Sequence, residues 1–271
     1  MRLAASIAFT ALISAPAFCS DLVITKSKHQ DAIKAPGVDQ PASDTTEITW
    51  VGKDRMRNED GDKVTIVRLD LKKMFILDTK AKTVSTLDLP FDMKKYLPPE
   101  AAPMIEQMMG QMKVTVTPTT ETKKIKDWNA TKYTMTVSMP FGGNSTQEMW
   151  MTKDIEFDHA AYAELLSATM SIAMGGEAMA KEYMKLDGLA VLTESTQKGM
   201  VSTKSREEVT SVEKKEPTEG LYDVPKDYTE KPFDPMADMQ RGAKGPGGPG
   251  GPGGRPKGPP PGEKPKEKGG G

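Results

Sequence analysis

Short strand-forming runs separated by tight turns fill the chain between residues 21 and 89, and this rhythm constrains the fold more than any other feature. The runs occupy residues 21–30, 45–51, 55–57, 63–69, 73–77 and 83–87. Most connections between them are too short for the crossover helix that joins parallel strands. We therefore predict a meander of antiparallel hairpins rather than a βαβ repeat.

Residues that favour tight turns separate the strands of this block. Asp60-Gly61 is the strongest signal, because Asp and Gly tolerate the positive φ of a two-residue hairpin loop. Further turns are predicted at residues 70–72 and 78–82, which contain Asp and Lys.

The middle of the chain is predicted to add two helices and a second block of strands. Pro98-Pro99-Glu100 opens the first helix, since proline is tolerated in a first turn. Asp158 caps the second helix, which is predicted to reach Ala173. Strands are predicted at residues 114–117, 121–125, 132–139, 145–152, 189–196 and 201–212, with a closing strand at residues 220–228.

The N-terminus is predicted to be a secretory signal peptide, residues 1–19. Arg2 gives a positive start, residues 3–13 are almost entirely apolar, and residues 17–19 have the spacing for cleavage before Ser20. The apolar run is only about half as long as a membrane-spanning helix requires. The mature protein is therefore predicted to be periplasmic or secreted.

Two alternatives to this cleavage remain open. A cut before Phe18 would keep Cys19 in the mature chain, and lipidation would attach an acyl group to that cysteine. Lipidation favours a small residue directly before the cysteine and an aliphatic one three places before it, where this chain has Phe18 and Pro16. We therefore expect no lipid anchor.

The C-terminus differs in composition from the rest of the chain. Residues 236–271 are rich in Gly, Pro and Lys and cannot bury enough apolar surface to offset chain entropy, so a disordered tail is predicted. From Arg241 onward, seven Lys or Arg stand against two Glu, a net charge of +5, which leaves an acidic β-rich domain at residues 20–235. An acidic domain argues against nucleic acid as a partner.

No residue pattern in the chain indicates catalysis or a bound cofactor. The two histidines, His29 and His159, have no second His or Cys at ligand spacing, so no zinc site is predicted. The chain also lacks a nucleophile elbow, a phosphate-binding loop and a dinucleotide-binding fingerprint. We expect a protein that is not an enzyme and carries no cofactor or metal.

Methionine is abundant, with 19 residues, and three interpretations are open. Methionine fills irregular cores, because its side chain is flexible and polarizable. It could instead line an apolar cavity that adapts to a variable ligand, or bind a soft metal ion through its thioethers. Two pairs lie close together in the sequence: Met149 with Met151, which would share a strand face, and Met236 with Met239.

Several hairpins resemble those of the periplasmic lipoprotein-carrier (LolA-like) superfamily. The resemblance rests on residues 67–84, on the preceding residues 50–57 and on the late segment 221–228. The body from residue 21 to residue 233 is also similar to a family of exported bacterial proteins near that superfamily. The resemblance implies an α+β fold: a curved antiparallel β-sheet, or half-barrel, with helices covering its concave face over an apolar cavity.

The resemblance also implies binding of lipids, acyl chains or lipoproteins without catalysis. One strand face and one helix stripe are the predicted walls of the cavity. Their residues are Met104, Met108 and Met112 on the helix, and Tyr133, Met135, Val137 and Met139 on the strand. The alternative is an envelope protein–protein interaction module whose basic tail contacts an anionic surface. The oligomeric state is left open.

The signal peptide predicts a specific mature N-terminus. N-terminal sequencing of protein exported from its own host should find Ser20 first, because residues 17–19 carry the cleavage spacing. A start at Phe18, an acylated Cys19 or a retained Met1 would contradict this prediction.

Overall fold

A computed structural model describes residues 20–35, 38–138, 143–174, 181–198 and 202–235. The predicted signal peptide and the predicted tail from residue 236 lie outside the described residues. The strands are β1 (Asp21–Gln30), β2 (Ile33–Ala35), β3 (Val38–Gln40), β4 (Ser43–Val51), β5 (Arg55–Asp60), β6 (Lys63–Arg68), β7 (Lys73–Asp78), β8 (Thr83–Asp88), β9 (Lys113–Ile125), β10 (Trp128–Ser138), β11 (Asn144–Thr152), β12 (Leu189–Lys198), β13 (Thr203–Lys215) and β14 (Thr229–Glu230). The helices are α1 (Ala102–Gln111) and α2 (His159–Met174), and Met93–Tyr96 is a short 3-10 helix.

One sheet of 12 strands dominates the structure, in the order β14-β8-β7-β6-β5-β4-β1-β13-β12-β11-β10-β9. Adjacent strands in this sheet run antiparallel, except that β14 and β8 run parallel. Strands β4 to β8 form one meander and β9 to β13 form another, and β1 lies between the two. The predicted fold class is confirmed: the chain is mostly β, with a large, mainly antiparallel sheet and few helices.

The two faces of the sheet are buried against different parts of the chain. The inner face, defined here by Leu22, Ile24, Met56 and Val67, packs in one cluster with Leu165 of α2. The outer face carries a second, smaller cluster. Its members are Val64, Ile66, Leu77, Val84 and Tyr222, with Leu221, Val224 and Tyr228 packed against them. Because this half of the sheet is covered on both sides, β6 is apolar at successive positions rather than strictly alternating.

The first hairpin turn lies one residue later than predicted. Asp60 pairs with Lys63, so the two loop residues are Gly61 and Asp62. Gly61 has a φ of 59°, which glycine adopts without the steric cost that a side chain imposes.

Two predicted strands, residues 114–117 and 121–125, are one continuous strand, β9. Pro118, between the two predicted strands, lies opposite Tyr133 at an irregularity in the ladder. Strand β9 is the last strand of the sheet, and an edge strand tolerates a proline that cannot donate a ladder hydrogen bond.

The predicted closing strand at residues 220–228 is wrong. The segment forms successive turns, in which Asp223 donates its backbone N–H to Gly220 and Tyr228 donates to Pro225. Pro225 has no N–H for a ladder, and Gly220 has a φ of 76°, so an extended ladder is disfavoured here. Only Thr229–Glu230 is extended, and it pairs with β8.

Side-chain bonds fasten this closing segment to the sheet. The Tyr222 hydroxyl donates to Asp21 Oδ2 over 2.6 Å, and both residues are buried. The Arg55 guanidinium lies 4.9 Å from the centre of the Tyr222 ring. Burial and the Asp21 carboxylate raise the pKa of Tyr222 far above its ordinary value, so this phenol keeps its proton and remains a donor.

Removal of the Tyr222 hydroxyl should therefore destabilise the domain. Tyr222→Phe leaves the buried Asp21 carboxylate without its donor, and we expect a loss of about 1–3 kcal/mol in the free energy of unfolding. Urea denaturation measures it. Tyr228→Phe is the matched control, because Tyr228 is only half-buried and its hydroxyl makes no hydrogen bond with a described residue. Equal losses in the two variants would show that the buried bond adds no stability.

Candidate functional site

A cavity of about 670 Å³ lies between α2 and the inner face of the sheet. Strands β1, β11, β12 and β13 form its floor through Lys26, Gln147, Met149, Met151, Ala190, Thr193, Ser195 and Glu207. Helix α2 forms the roof with Tyr162, Ala163, Leu166, Ser167 and Met170, and residues 183–188 form a side wall. Met184 belongs to that wall and is 55% exposed, so the cavity meets solvent there.

Helix α2 is positioned over the sheet by its N-cap and by an apolar stripe. The Asp158 carboxylate accepts the backbone N–H of Ala161 over 3.0 Å, which confirms the predicted cap. Tyr162 and Leu165 are buried against the sheet. Leu166 and Met170 follow Tyr162 at four-residue spacing, and this stripe borders the cavity.

Small residues keep the cavity open. Ala163 in the roof and Ala190 in the floor project only a methyl group into the space. Position 188 requires glycine, because the backbone there passes close to Thr152. A Cβ atom at this position would lie 2.3 Å from the Thr152 carbonyl oxygen, and the φ of Gly188 is 111°. The side wall can therefore pass directly over the end of β11.

A row of alternating charges crosses the inner face beside the apolar walls. Lys26 Nζ lies 3.2 Å from Glu47 Oε1, and Lys28 Nζ lies 3.3 Å from Glu47 Oε2 and 2.7 Å from Asp60 Oδ2. Burial alone would lower the pKa of Lys26 and raise that of Glu47. The attraction between them prevails, so the pKa of Lys26 is raised, the pKa of Glu47 is lowered and both stay charged at neutral pH.

Two tyrosines and a glutamate complete the polar part of the lining. Burial raises the pKa of Tyr162, while burial and the Glu207 carboxylate raise that of Tyr183. Among the described residues, neither hydroxyl has a hydrogen-bond partner, and the Glu207 carboxylate has neither a hydrogen bond nor an ion pair. These groups are therefore available to a molecule in the cavity.

The predicted strand face lies next to the cavity, in a packed cluster. Met135 and Val137 are buried with Met149 and Met151, and Tyr133 packs against the same cluster. The alternation predicted for this strand is present, since Met135 and Val137 are buried whereas Thr136 and Ser138 are exposed. Met135 is fully buried, and the cavity borders Met149 and Met151 instead.

The predicted helix stripe is only partly brought to this cluster. Met112 packs against it, but Met104 is 64% exposed, while the next residue, Ile105, is buried. Met139 and the side chain of Met108 lie outside the described part of the chain.

Sequence reasoning missed most of the cavity. Met149 and Met151 were identified as a same-face pair, but Lys26, Tyr162, Tyr183 and Glu207 were not singled out. One signal was present: Lys26 and Lys28 continue the alternation that begins with inward-facing Leu22 and Ile24, so two lysines occupy positions predicted to face inward.

The remaining chemistry is sparse within the described residues. They hold no group of three or more His, Cys, Asp or Glu arranged to bind a metal ion. None of their helices has the length and apolarity needed to cross a membrane.

The chain belongs to a family described as "Domain of unknown function (DUF4412)", which matches residues 46–228. No curated protein matches the sequence. A solved structure described as "PNGF-II in C2 space group" is similar at 13% identity and a TM-score of 0.40, over 80% of this chain and 32% of that one. This chain thus spans about a third of that protein.

A second similar structure is described as a "putative outer membrane lipoprotein-sorting protein domain from Vibrio parahaemolyticus". The identity is 8% and the TM-score is 0.30, over 75% of this chain and 89% of that one.

The packed cluster and the cavity wall should respond differently to truncation. Met135→Ala removes atoms from a filled site and should cost about 2–5 kcal/mol of unfolding free energy. Met170→Ala should cost clearly less, because Met170 borders existing space and is only partly buried. Denaturant midpoints at constant m-value measure both losses. An equally large loss for Met170→Ala would show that the space beside it is filled.

Proposed function

We propose that this DUF4412 protein is exported to the bacterial envelope and binds an amphiphilic molecule there, without catalysing a reaction. The ligand class is a lipid, an acyl chain or an acylated protein segment. The observation that carries the proposal is the cavity under α2, which has methionine on its floor and roof and a polar patch beside it.

The size and composition of the cavity suit an acyl chain. Sites for small ligands are typically about 300–1,000 Å³ and mostly apolar with a few polar groups, and about 670 Å³ falls within that range. Each Å² of apolar surface removed from water contributes roughly 25 cal/mol. Met149, Met151 and Met170 have flexible side chains that can adapt to chains of different shape.

The polar groups of the cavity favour recognition over chemistry. The raised pKa of Lys26 keeps its ammonium protonated, so it is a poor nucleophile or base near neutral pH. The raised pKa of Tyr162 likewise keeps its phenol neutral. Fixed donors of this kind support binding and orientation of a ligand.

Filling the cavity tests the proposal. The purified protein should take up a neutral fluorescent acylglycerol, and Ala163→Phe should weaken uptake by at least about tenfold, which corresponds to about 1.4 kcal/mol of binding free energy. The matched control is Ala81→Phe, the same change in the exposed turn between β7 and β8. Both variants are compared by fluorescence titration after their thermal unfolding has been checked.

Absence of uptake by the unmutated protein would refute the proposal, as would unchanged uptake by folded Ala163→Phe. Native mass spectrometry of protein purified from its own host gives an independent result. A co-purified lipid supports the proposal, whereas a stably bound protein with an empty cavity would favour the interaction-module alternative.

A further inference from the structure

Two groups of opposite charge lie side by side on the cavity floor. Lys26 is on β1 and Glu207 is on the neighbouring strand β13, where Glu207 pairs in register with Lys28. The two side chains also attract each other electrostatically, since the Glu207 carboxylate contributes to the raised pKa of Lys26. Thr193 of β12, in register with Glu207, continues the polar patch.

Both charged groups have unused hydrogen-bonding capacity. The Lys26 ammonium has three N–H donors, and within the described part of the chain only Glu47 accepts from it. Its side chain is only 18% exposed and belongs to the cavity lining, so a molecule in the cavity can reach the remaining donors. The Glu207 carboxylate can accept several hydrogen bonds and receives none from a described residue. A partly buried charge without partners costs free energy, which a complementary ligand would recover.

The local charge balance favours one kind of ligand. On this part of the inner face, Lys26 and Lys28 are cationic, whereas Glu47, Asp60 and Glu207 are anionic, so the patch has a net charge of −1. A simple carboxylate would gain one contact with Lys26 and would be repelled by Glu207. A head group with both an anionic oxygen and an ammonium would satisfy both residues.

We propose that this patch selects amphiphiles whose zwitterionic head group carries an ammonium beside a phosphate. The ammonium donates to Glu207, a phosphate oxygen accepts from Lys26, and the Tyr162 and Tyr183 hydroxyls lie within the same lining. The acyl chain lies along the methionine wall. This inference rests on the proposed function, since it assigns the head group of the molecule that the cavity binds.

The test compares two lipids that differ only in the ammonium. Lysophosphatidylethanolamine and lysophosphatidylethanol with the same acyl chain are titrated calorimetrically into the full-length protein, below their micelle concentrations. The unmutated protein should bind the ethanolamine lipid at least about tenfold more tightly, as expected for a charge-assisted hydrogen bond. Glu207→Gln keeps the shape but removes the charge, and it should abolish this preference.

Glu208→Gln is the matched control. It removes the same charge from the next residue of β13, which bonds to Arg206 and pairs in register with Leu192 rather than with Thr193. This variant should keep the preference. Glu207→Gln should fold normally, because no described residue depends on that carboxylate for a hydrogen bond.

The outcomes separate the head-group inference from the proposed function. Equal binding of both lipids by the unmutated protein, tighter binding of lysophosphatidylethanol, or an unchanged preference in Glu207→Gln would overturn the head-group assignment and leave acyl binding intact. Failure of both lipids and of the neutral acylglycerol to bind would refute the proposed function itself, and the head-group assignment with it.

Discussion

The pairing of β1 with β13 holds the two halves of the molecule together. Strand β1 pairs with β4 on one side and with β13 on the other, so it converts two separate meanders into one sheet. The contact joins residues far apart in the chain, as in the bond from Gln30 Nε2 to the Lys204 carbonyl, 174 positions away. Closing such a long loop is entropically costly, and the cost is recovered only when the continuous ladder and inner face form together.

A bulge in this pairing decides which side chains reach the cavity. Thr25 pairs with Ser211 but Lys26 pairs with Val209, so Thr210 is an extra residue in β13. Because side chains alternate along a strand, one extra residue exchanges the two faces beyond it. Uninterrupted alternation from Val212 would turn Glu208 inward, whereas the bulge turns Glu207 inward, opposite Lys28 and Thr193.

The cavity follows from how little of the inner face α2 can fill. Tyr162 and Leu165 pack against the sheet, but the roof also contains the small Ala163 and the floor the small Ala190. Charged residues occupy the adjoining part of β1. They are paired with Glu47, so their partial burial does not require an apolar side chain to fill the space beside them. The same arrangement that leaves space under α2 thus surrounds that space with both methionine and fixed charges.

The sequence by itself determined the elements whose signals are local. The first strand matches its predicted bounds at Asp21 and Gln30, and the Asp158 cap is present. The hairpins of the first meander also form, the first with its turn one residue later than predicted. Turn chemistry and alternation act over only a few residues, so the sequence carries these signals locally. Only the tertiary structure decided the neighbours of β1, the coiled path of residues 220–228 and the inward position of Glu207. Those features depend on pairing between segments distant in sequence, and on the bulge that this pairing accommodates. No local pattern of residues specifies them.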